Sequence, residues 1–359
     1  MNNNFNIVGA YGESNFGDDL LMLVFEQFFI EEFPNSKVNF IGEKNSYPNF
    51  LLRSSSYNSK LESNILVYGG GTQFFSFRNM NESILKKLVK FSLNPRLILH
   101  KLKSVHQERL CFPYVAFLGF GIGPFNNDIK AIENARRSLE SGSFVGVRDD
   151  TSFEFCREYN IEAFLGADVV FSSYFESFLY NIAKKERNRI NKVGIIVRDW
   201  PHINKEYIDK IVEFEKKTDF DTTFIIFSRD KDKSWISILK NYPNKIVWDP
   251  MNISIKDFLE ILNSFDCIIS ARYHGAIISA LLGIPTICIE IEPKLEILSK
   301  QIEGMLLWRY PFNIEKLNEY ISELSVTTPD YSESLAERKR AADSMLLQFK
   351  QYMEREYEI

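Results

Sequence analysis

Cys267-Ile268-Ile269-Ser270-Ala271-Arg272-Tyr273-His274-Gly275-Ala276 decides the fold. Its first three residues are apolar at successive positions, so a strand there is buried on both faces. Arg272 and His274 leave the end of that strand. An apolar helical run follows, and Leu282-Gly283-Ile284-Pro285 leads into a second apolar strand, Thr286-Ile287-Cys288-Ile289. A doubly buried strand, a helix and another such strand make one unit of a parallel sheet covered on both sides.

The same alternation extends outward in both directions. Upstream lie the strands Val193-Gly194-Ile195-Ile196-Val197, Phe224-Ile225-Ile226-Phe227 and Ile246-Val247-Trp248. Nearer the start are Phe5-Asn6-Ile7-Val8, Val38-Asn39-Phe40-Ile41, Asn64-Ile65-Leu66-Val67-Tyr68, Tyr114-Val115-Ala116-Phe117-Leu118 and Phe144-Val145-Gly146-Val147. An amphipathic helix is expected from about Asp18 to Phe33. The alternation lapses between residues 172 and 191, where Ser172-Ser173 and Lys184-Lys185-Glu186-Arg187 read as a solvated connection. The expectation is therefore an α/β protein of two Rossmann-like, doubly wound halves in tandem. Residues 1–175 and 190–310 form the halves, and residues 311–359 a C-terminal helical segment. In that segment Leu335, Ala342, Met345, Leu346, Phe349 and Met353 recur at helical spacing. This apolar face packs either back across the domain junction or onto a second copy.

Composition narrows the function. The chain has 359 residues, 45% of them apolar and 25% charged, which suits a globular protein of two domains. Its net charge of −5 argues against gripping nucleic-acid phosphates as the main task. Cys111, Cys156, Cys267 and Cys288 are widely spaced and form neither a zinc nor a redox motif, which suits reduced thiols in the cytoplasm. The opening Met1-Asn2-Asn3-Asn4 has no basic leader, and no apolar run reaches the ~20 residues of a membrane helix.

In open parallel sheets, ligands bind beyond the carboxyl ends of the strands. Arg272, His274 and the start of the following helix converge at such an end. They make an anion site with a titratable group beside it, and Lys294 at the end of the next strand adds a third cation. Arg148 in Val147-Arg148-Asp149-Asp150 and Arg198 in Val197-Arg198-Asp199-Trp200-Pro201-His202 occupy equivalent strand ends. Arg148 either forks onto an anion or pairs with Asp149 or Asp168.

The loop Gly9-Ala10-Tyr11-Gly12-Glu13-Ser14-Asn15-Phe16-Gly17-Asp18-Asp19 is acidic, which favours hydroxyl groups over phosphate; alternatively Asp18 caps the helix. Gly69-Gly70-Gly71-Thr72 lets either a packed neighbour or a ligand approach the backbone. Gly119-Phe120-Gly121-Ile122-Gly123-Pro124 is a poor nicotinamide fingerprint, because Pro124 falls where the helix should begin.

Taken together these elements resemble the polysaccharide pyruvyl transferase family. The glycine-rich opening Gly9 to Asp19, the Gly69-Gly70-Gly71 strand end and the Gly119 to Pro124 loop match its motifs in order. So do Val147-Arg148-Asp149, Val197-Arg198-Asp199-Trp200, Arg272-Tyr273-His274-Gly275 and Glu292-Pro293-Lys294. Asp19, Tyr273, Gly275 and Glu292 replace the family's usual Glu, Leu, Ala and Asp.

The resemblance implies two domains of the GT-B type facing a cleft. It also implies phosphoenolpyruvate as co-substrate and a sugar hydroxyl pair as acceptor, which becomes a pyruvate ketal; no cofactor or metal is expected, because an Arg/Lys cluster can stabilise the phosphate charge. On this reading Arg148, Arg198, Arg272 and Lys294 bind the donor. Asn15, Asp18, Asp19, Gly70 and Gly71 bind the acceptor, and His274 and Asp18 carry the proton transfers. A GT-B glycosyltransferase with a nucleotide-sugar donor is the alternative, and a non-enzymatic carbohydrate-binding protein a third reading. A lipid-linked acceptor would place the protein peripherally at the inner membrane face. Phe74-Phe75-Ser76-Phe77 and Trp308-Arg309-Tyr310 are the aromatic patches available there, although core packing more often explains such aromatics. A homo-oligomer is left open.

Overall fold

The structure, a computed structural model, describes residues 4–58, 65–76, 114–183, 185–187, 189–200 and 206–357. Cys111, Phe77, Lys184, Pro201 and His202 fall outside the described residues.

Two parallel sheets carry the molecule. The first contains β1 (Asn4–Val8), β2 (Lys37–Ile41), β3 (Ser56–Tyr57), β4 (Ile65–Gly69), β5 (Thr72–Phe74), β6 (Tyr114–Ile122), β7 (Phe144–Val147) and β8 (Phe164–Leu165). Its order is β3-β2-β1-β4-β6-β7-β8, with β5 paired to the end of β6. The second contains β9 (Lys192–Val197), β10 (Asp221–Ile226), β11 (Lys245–Val247), β12 (Cys267–Ser270), β13 (Thr286–Ile289) and β14 (Leu306–Trp308). Its order is β11-β10-β9-β12-β13-β14.

Each sheet reverses its winding direction once, between β1 and β4 in the first and between β9 and β12 in the second. Such switch points open a crevice at the strand ends. The glycine loops leave β1 and β4 there, and Arg198 and Arg272 leave β9 and β12.

Several local expectations are corrected. The first helix is Phe16–Glu32, capped at Asn15, so Asp18 lies inside its first turn and does not cap it. Gly119, Phe120, Gly121 and Ile122 belong to β6, and the loop begins only at Gly123. Residues 173–179, expected to be solvated, form a helix whose Phe175 is buried. A seven-residue helix is too short to announce its period.

The helix Phe16–Glu32 joins the two halves. Twelve of its 17 residues are buried, because it meets neighbours on most sides. Phe16 packs on Phe227, Trp248 and Phe258 of the second half at ring distances of 5.1, 4.9 and 4.4 Å. Its backbone N–H donates to the Phe227 carbonyl at 3.0 Å. Burying one such ring contributes about 2–3 kcal/mol.

The helix Ser332–Tyr357 returns to the first half. Phe349 meets Phe28, Phe29, Phe33 and Phe144, and Met345 lies over Gly146 and Gly166. A β-carbon at Gly166 would come within 2.7 Å of Met345. The apolar face seen in the sequence is thus covered by its own chain. Trp308 is likewise core, while Tyr310 and Phe75 are exposed. Cys156, Cys267 and Cys288 are free and buried. Among the described residues, no helix is long and apolar enough to cross a membrane.

Candidate active site

The strand ends of both halves line one cleft of about 2150 Å³. Small-molecule sites usually hold about 300–1,000 Å³, so this cleft is larger than a single small ligand fills.

On the second-half wall, Arg272 is the N-cap of helix Tyr273–Leu281. Ser270 braces it locally: its hydroxyl accepts from the Arg272 N–H at 3.1 Å and donates to the Arg272 carbonyl at 2.8 Å. Gly275 follows because a β-carbon there would reach Ser270 Oγ at 2.6 Å and Ile196 Cδ1 at 2.8 Å. The Arg272 guanidinium donates through Nη2 to the fully buried Asp232, while its Nε is buried without a partner. Asp232 also accepts from the backbone of Asp199 at 2.9 Å and of Ser228 at 3.2 Å.

Arg198 pairs with Glu292 and lies 4.0 Å from the centre of the Trp200 ring. Lys294 Nζ is 3.2 Å from Glu292 Oε1. Burial pushes Lys294 down to about 8, with Glu292 opposing the fall and Arg198 adding to it. Lys231 falls to about 8 as well, through burial first and the positive charges of Arg272 and Lys294 next.

On the first-half wall, Arg148 leaves β7 and is almost wholly buried. Its Nη1 donates to Asp168 at 2.9 Å and its Nη2 to Thr72 at 2.8 Å, while Nε makes no hydrogen bond and stands 3.8 Å from Asp149 Oδ2. Its guanidinium lies 4.7 Å from the ring of Tyr273, and Lys294 approaches the same ring at 5.4 Å. Tyr273 thus links the two walls. His274 Nε2 is 3.4 Å from Asp168 Oδ2. Burial alone would raise Asp168, but His274 and Arg148 overcome it and hold the carboxyl at about 2.

The structure therefore brings Arg148, Arg198, Arg272, His274 and Lys294 to one cleft, which Asn15 and Asp18 also line. Gly70 and Gly71 also face it, both with positive φ, and a β-carbon on Gly71 would meet nothing within 4 Å. Asn15 donates to Asp18, and Lys231 from the second half pairs with Glu13 and stands 3.6 Å from Asp18.

Two expectations change. Asp19 does not line the cleft: it is fully buried and accepts from Tyr47 Oη at 2.6 Å and from Trp248 Nε1 at 2.8 Å. The cations are also not bare. Arg148 has Asp168, Arg272 has Asp232, and Arg198 and Lys294 share Glu292. The acids hold the cations in place, and a guanidinium with five N–H groups keeps donors to spare beside one carboxylate.

Asp232 and Lys231 are the residues that sequence reasoning did not place at the site; it points to Asp168 only as a partner for Arg148, which it is, and misses its approach to His274. Lys231 and Asp232 follow β10 on the same side of the sheet as Arg198, and that position was the available signal. Asp168 follows no strand long enough to read.

Two Rossmann-like α/β domains apposed across a cleft are the GT-B arrangement of sugar-handling enzymes. Solved structures share it. UDP-GlcNAc 2-epimerase from Methanocaldococcus jannaschii, in complex with UDP-GlcNAc and UDP, matches with a TM-score of 0.60 at 13% identity, over 98% of this chain and 100% of that one. UDP-N-acetylglucosamine 2-epimerase from Rickettsia bellii matches with a TM-score of 0.60 at 12% identity, over 99% of each chain. The glycotransferase of kitacinnamycin matches with a TM-score of 0.50 at 10% identity, over 99% of each chain. At these identities the likeness is one of fold alone. No curated protein matches by sequence. A family model described as Polysaccharide pyruvyl transferase matches residues 15–293. The chain belongs to that family and is a transferase acting on a glycan.

Proposed function

We propose that the enzyme moves the pyruvyl carbon unit of phosphoenolpyruvate onto two hydroxyls of a sugar as a ketal, in the synthesis of a surface polysaccharide or cell-wall glycan. One observation carries this reading beyond the family: Arg148, Arg198, Lys231, Arg272, His274 and Lys294 line a single cleft together with a glycine- and carboxylate-rich loop. Phosphoenolpyruvate has a phosphate and a carboxylate on three carbons, so its site needs several cations held in fixed positions.

The reaction balances without an added oxidant or cofactor. A proton adds to the methylene carbon, and the neighbouring carbon takes on positive character. One sugar hydroxyl adds to it, phosphate leaves, and the second hydroxyl closes the ring. Of the two hydroxyl protons, one ends on the new methyl group and one on phosphate. Arg148, Arg198, Arg272 and Lys294 stabilise the donor's anionic groups. His274 gives or takes the proton at the reacting unit, and Asp18, on the facing wall, receives a hydroxyl proton.

The fold is also compatible with a nucleotide-sugar donor, and one experiment separates the two. Melting temperature is followed with phosphoenolpyruvate and with a panel of nucleotide sugars, and phosphate release is followed with phosphoenolpyruvate and candidate glycans. A rise with phosphoenolpyruvate and glycan-dependent phosphate release are expected. A rise with nucleotide sugars alone overturns the reading.

A further inference from the structure

His274 and Asp168 come from different halves of the molecule. His274 opens the helix after β12, and Asp168 caps the short 3-10 turn Val169–Phe171 after β8. The imidazole edge bearing Nε2 is sealed from solvent and lies 3.4 Å from Asp168 Oδ2. The side chain as a whole is 11% exposed and lines the cleft; its Nδ1 edge faces Gly17, where the missing β-carbon leaves that edge uncovered.

Asp168 is held in turn. Its Oδ1 accepts from the Val170 N–H at 3.2 Å, and the same Oδ2 that faces His274 accepts Arg148 Nη1 at 2.9 Å. A fully buried carboxylate clamped by a guanidinium cannot swing away from the imidazole. Nε2 approaches Oδ2 to 3.4 Å without completing a hydrogen bond, and catalytic hydrogen bonds are often long or poorly aligned until the Michaelis complex forms.

We propose that Asp168 is a positioning residue that holds the His274 ring with its proton on Nε2 and presents the Nδ1 edge to the substrate. The logic is that of an acid-oriented histidine: one nitrogen is fixed by a buried carboxylate and the other is left for the reaction. Because the pair spans the two halves, His274 is oriented only while the halves are apposed. Its part in proton transfer rests on the proposed function; the ring orientation does not.

The test uses the full chain with 15N-labelled histidine. Of the four histidines, His274 is identified by the signals lost in His274→Ala. At pH 8, the His274 signals of the wild type are expected to show a proton on Nε2, in a neutral or doubly protonated ring. Asp168→Asn should give a mixture of the two neutral tautomers. A wild-type ring protonated on Nδ1 alone overturns the proposal, as does an Asp168→Asn protein whose His274 signals are unchanged. Should that variant fail to fold, the wild-type spectrum decides by itself. A role in stability alone would lower the melting temperature without moving the tautomer. Failure of the donor reading shows separately: phosphoenolpyruvate would then move no histidine signal while the Asp168-dependent tautomer persists.

Discussion

The His274 imidazole sits directly over the α-carbon of Gly17, so that a β-carbon at residue 17 would lie 2.4 Å from Nδ1 and 2.9 Å from Cγ. The glycine belongs to the first turn of the helix that joins the halves, and the histidine to the facing wall. Gly17 is therefore small because a catalytic candidate from the other half needs the space.

Gly17→Ala tests this directly. Overpacking of this kind costs about 1–3 kcal/mol, and the clash falls on atoms close to the histidine backbone, which have little freedom to move. The variant should melt a few degrees lower and release phosphate at least about tenfold more slowly. Unchanged phosphate release would mean that His274 needs no fixed place against Gly17.

Arg272 separates binding from folding. Arg272→Ala strands Asp232 in the core without its counter-charge, which costs about 3–5 kcal/mol, so its effect on substrate cannot be isolated. Arg272→Lys keeps a charge for Asp232 but removes the planar fork and its unpartnered Nε. The expectation is a folded protein that binds phosphoenolpyruvate about tenfold more weakly by calorimetry, a change of about 1.4 kcal/mol. An unchanged affinity would remove Arg272 from the donor site.

The strands whose ends build the second-half wall were legible because they are apolar on both faces. β3, β5, β8 and β14 were not, since two or three residues hold no period; the equally short β11 was legible because Trp248 extends its apolar run. The charged residues split along the same line. Arg148, Arg198, Arg272 and His274 follow recognisable strands and could be placed from the sequence. Asp168 follows the two-residue β8, and Lys231 and Asp232 lie beyond a legible strand but within Arg229-Asp230-Lys231-Asp232-Lys233, where five successive charged residues leave open which of them turn inward.

Asp18 and Asp19 show a different limit. Neighbours on a helix point about 100° apart, so one faces the cleft and the other is buried against Trp248. Only the position of the second half decides which.

Lys294 gives donor binding a pH dependence of defined sign. Lys294 and Lys231 are both lowered to about 8. Each is charged below that value and neutral above it, and the neutral form attracts an anion less. Affinity for phosphoenolpyruvate should therefore fall between pH 7 and pH 9, by about tenfold if one charge-assisted hydrogen bond is lost. Lys294→Arg keeps its charge throughout and should flatten the decline. An affinity that rises across this range would contradict the assignment of Lys294 to the donor.

Asp19 makes the junction of the halves pH-sensitive. Burial raises its carboxyl to about 7, although the Tyr47 and Trp248 hydrogen bonds oppose the rise. In the unfolded chain the group titrates near 3.8. Between those values the folded state binds the extra proton, so this group's contribution to stability is complete below about 4 and is lost as pH rises through about 7. From pH 5 to pH 8 the loss is on the order of 2 kcal/mol. Asp19→Asn cannot titrate and escapes that loss, although its single carbonyl serves only one of the two donors. Urea unfolding at both pH values should therefore show the variant gaining on the wild type as pH rises. An equal difference at pH 5 and pH 8 would mean that Asp19 is ionised in the folded protein throughout, with the Tyr47 and Trp248 hydrogen bonds outweighing its burial.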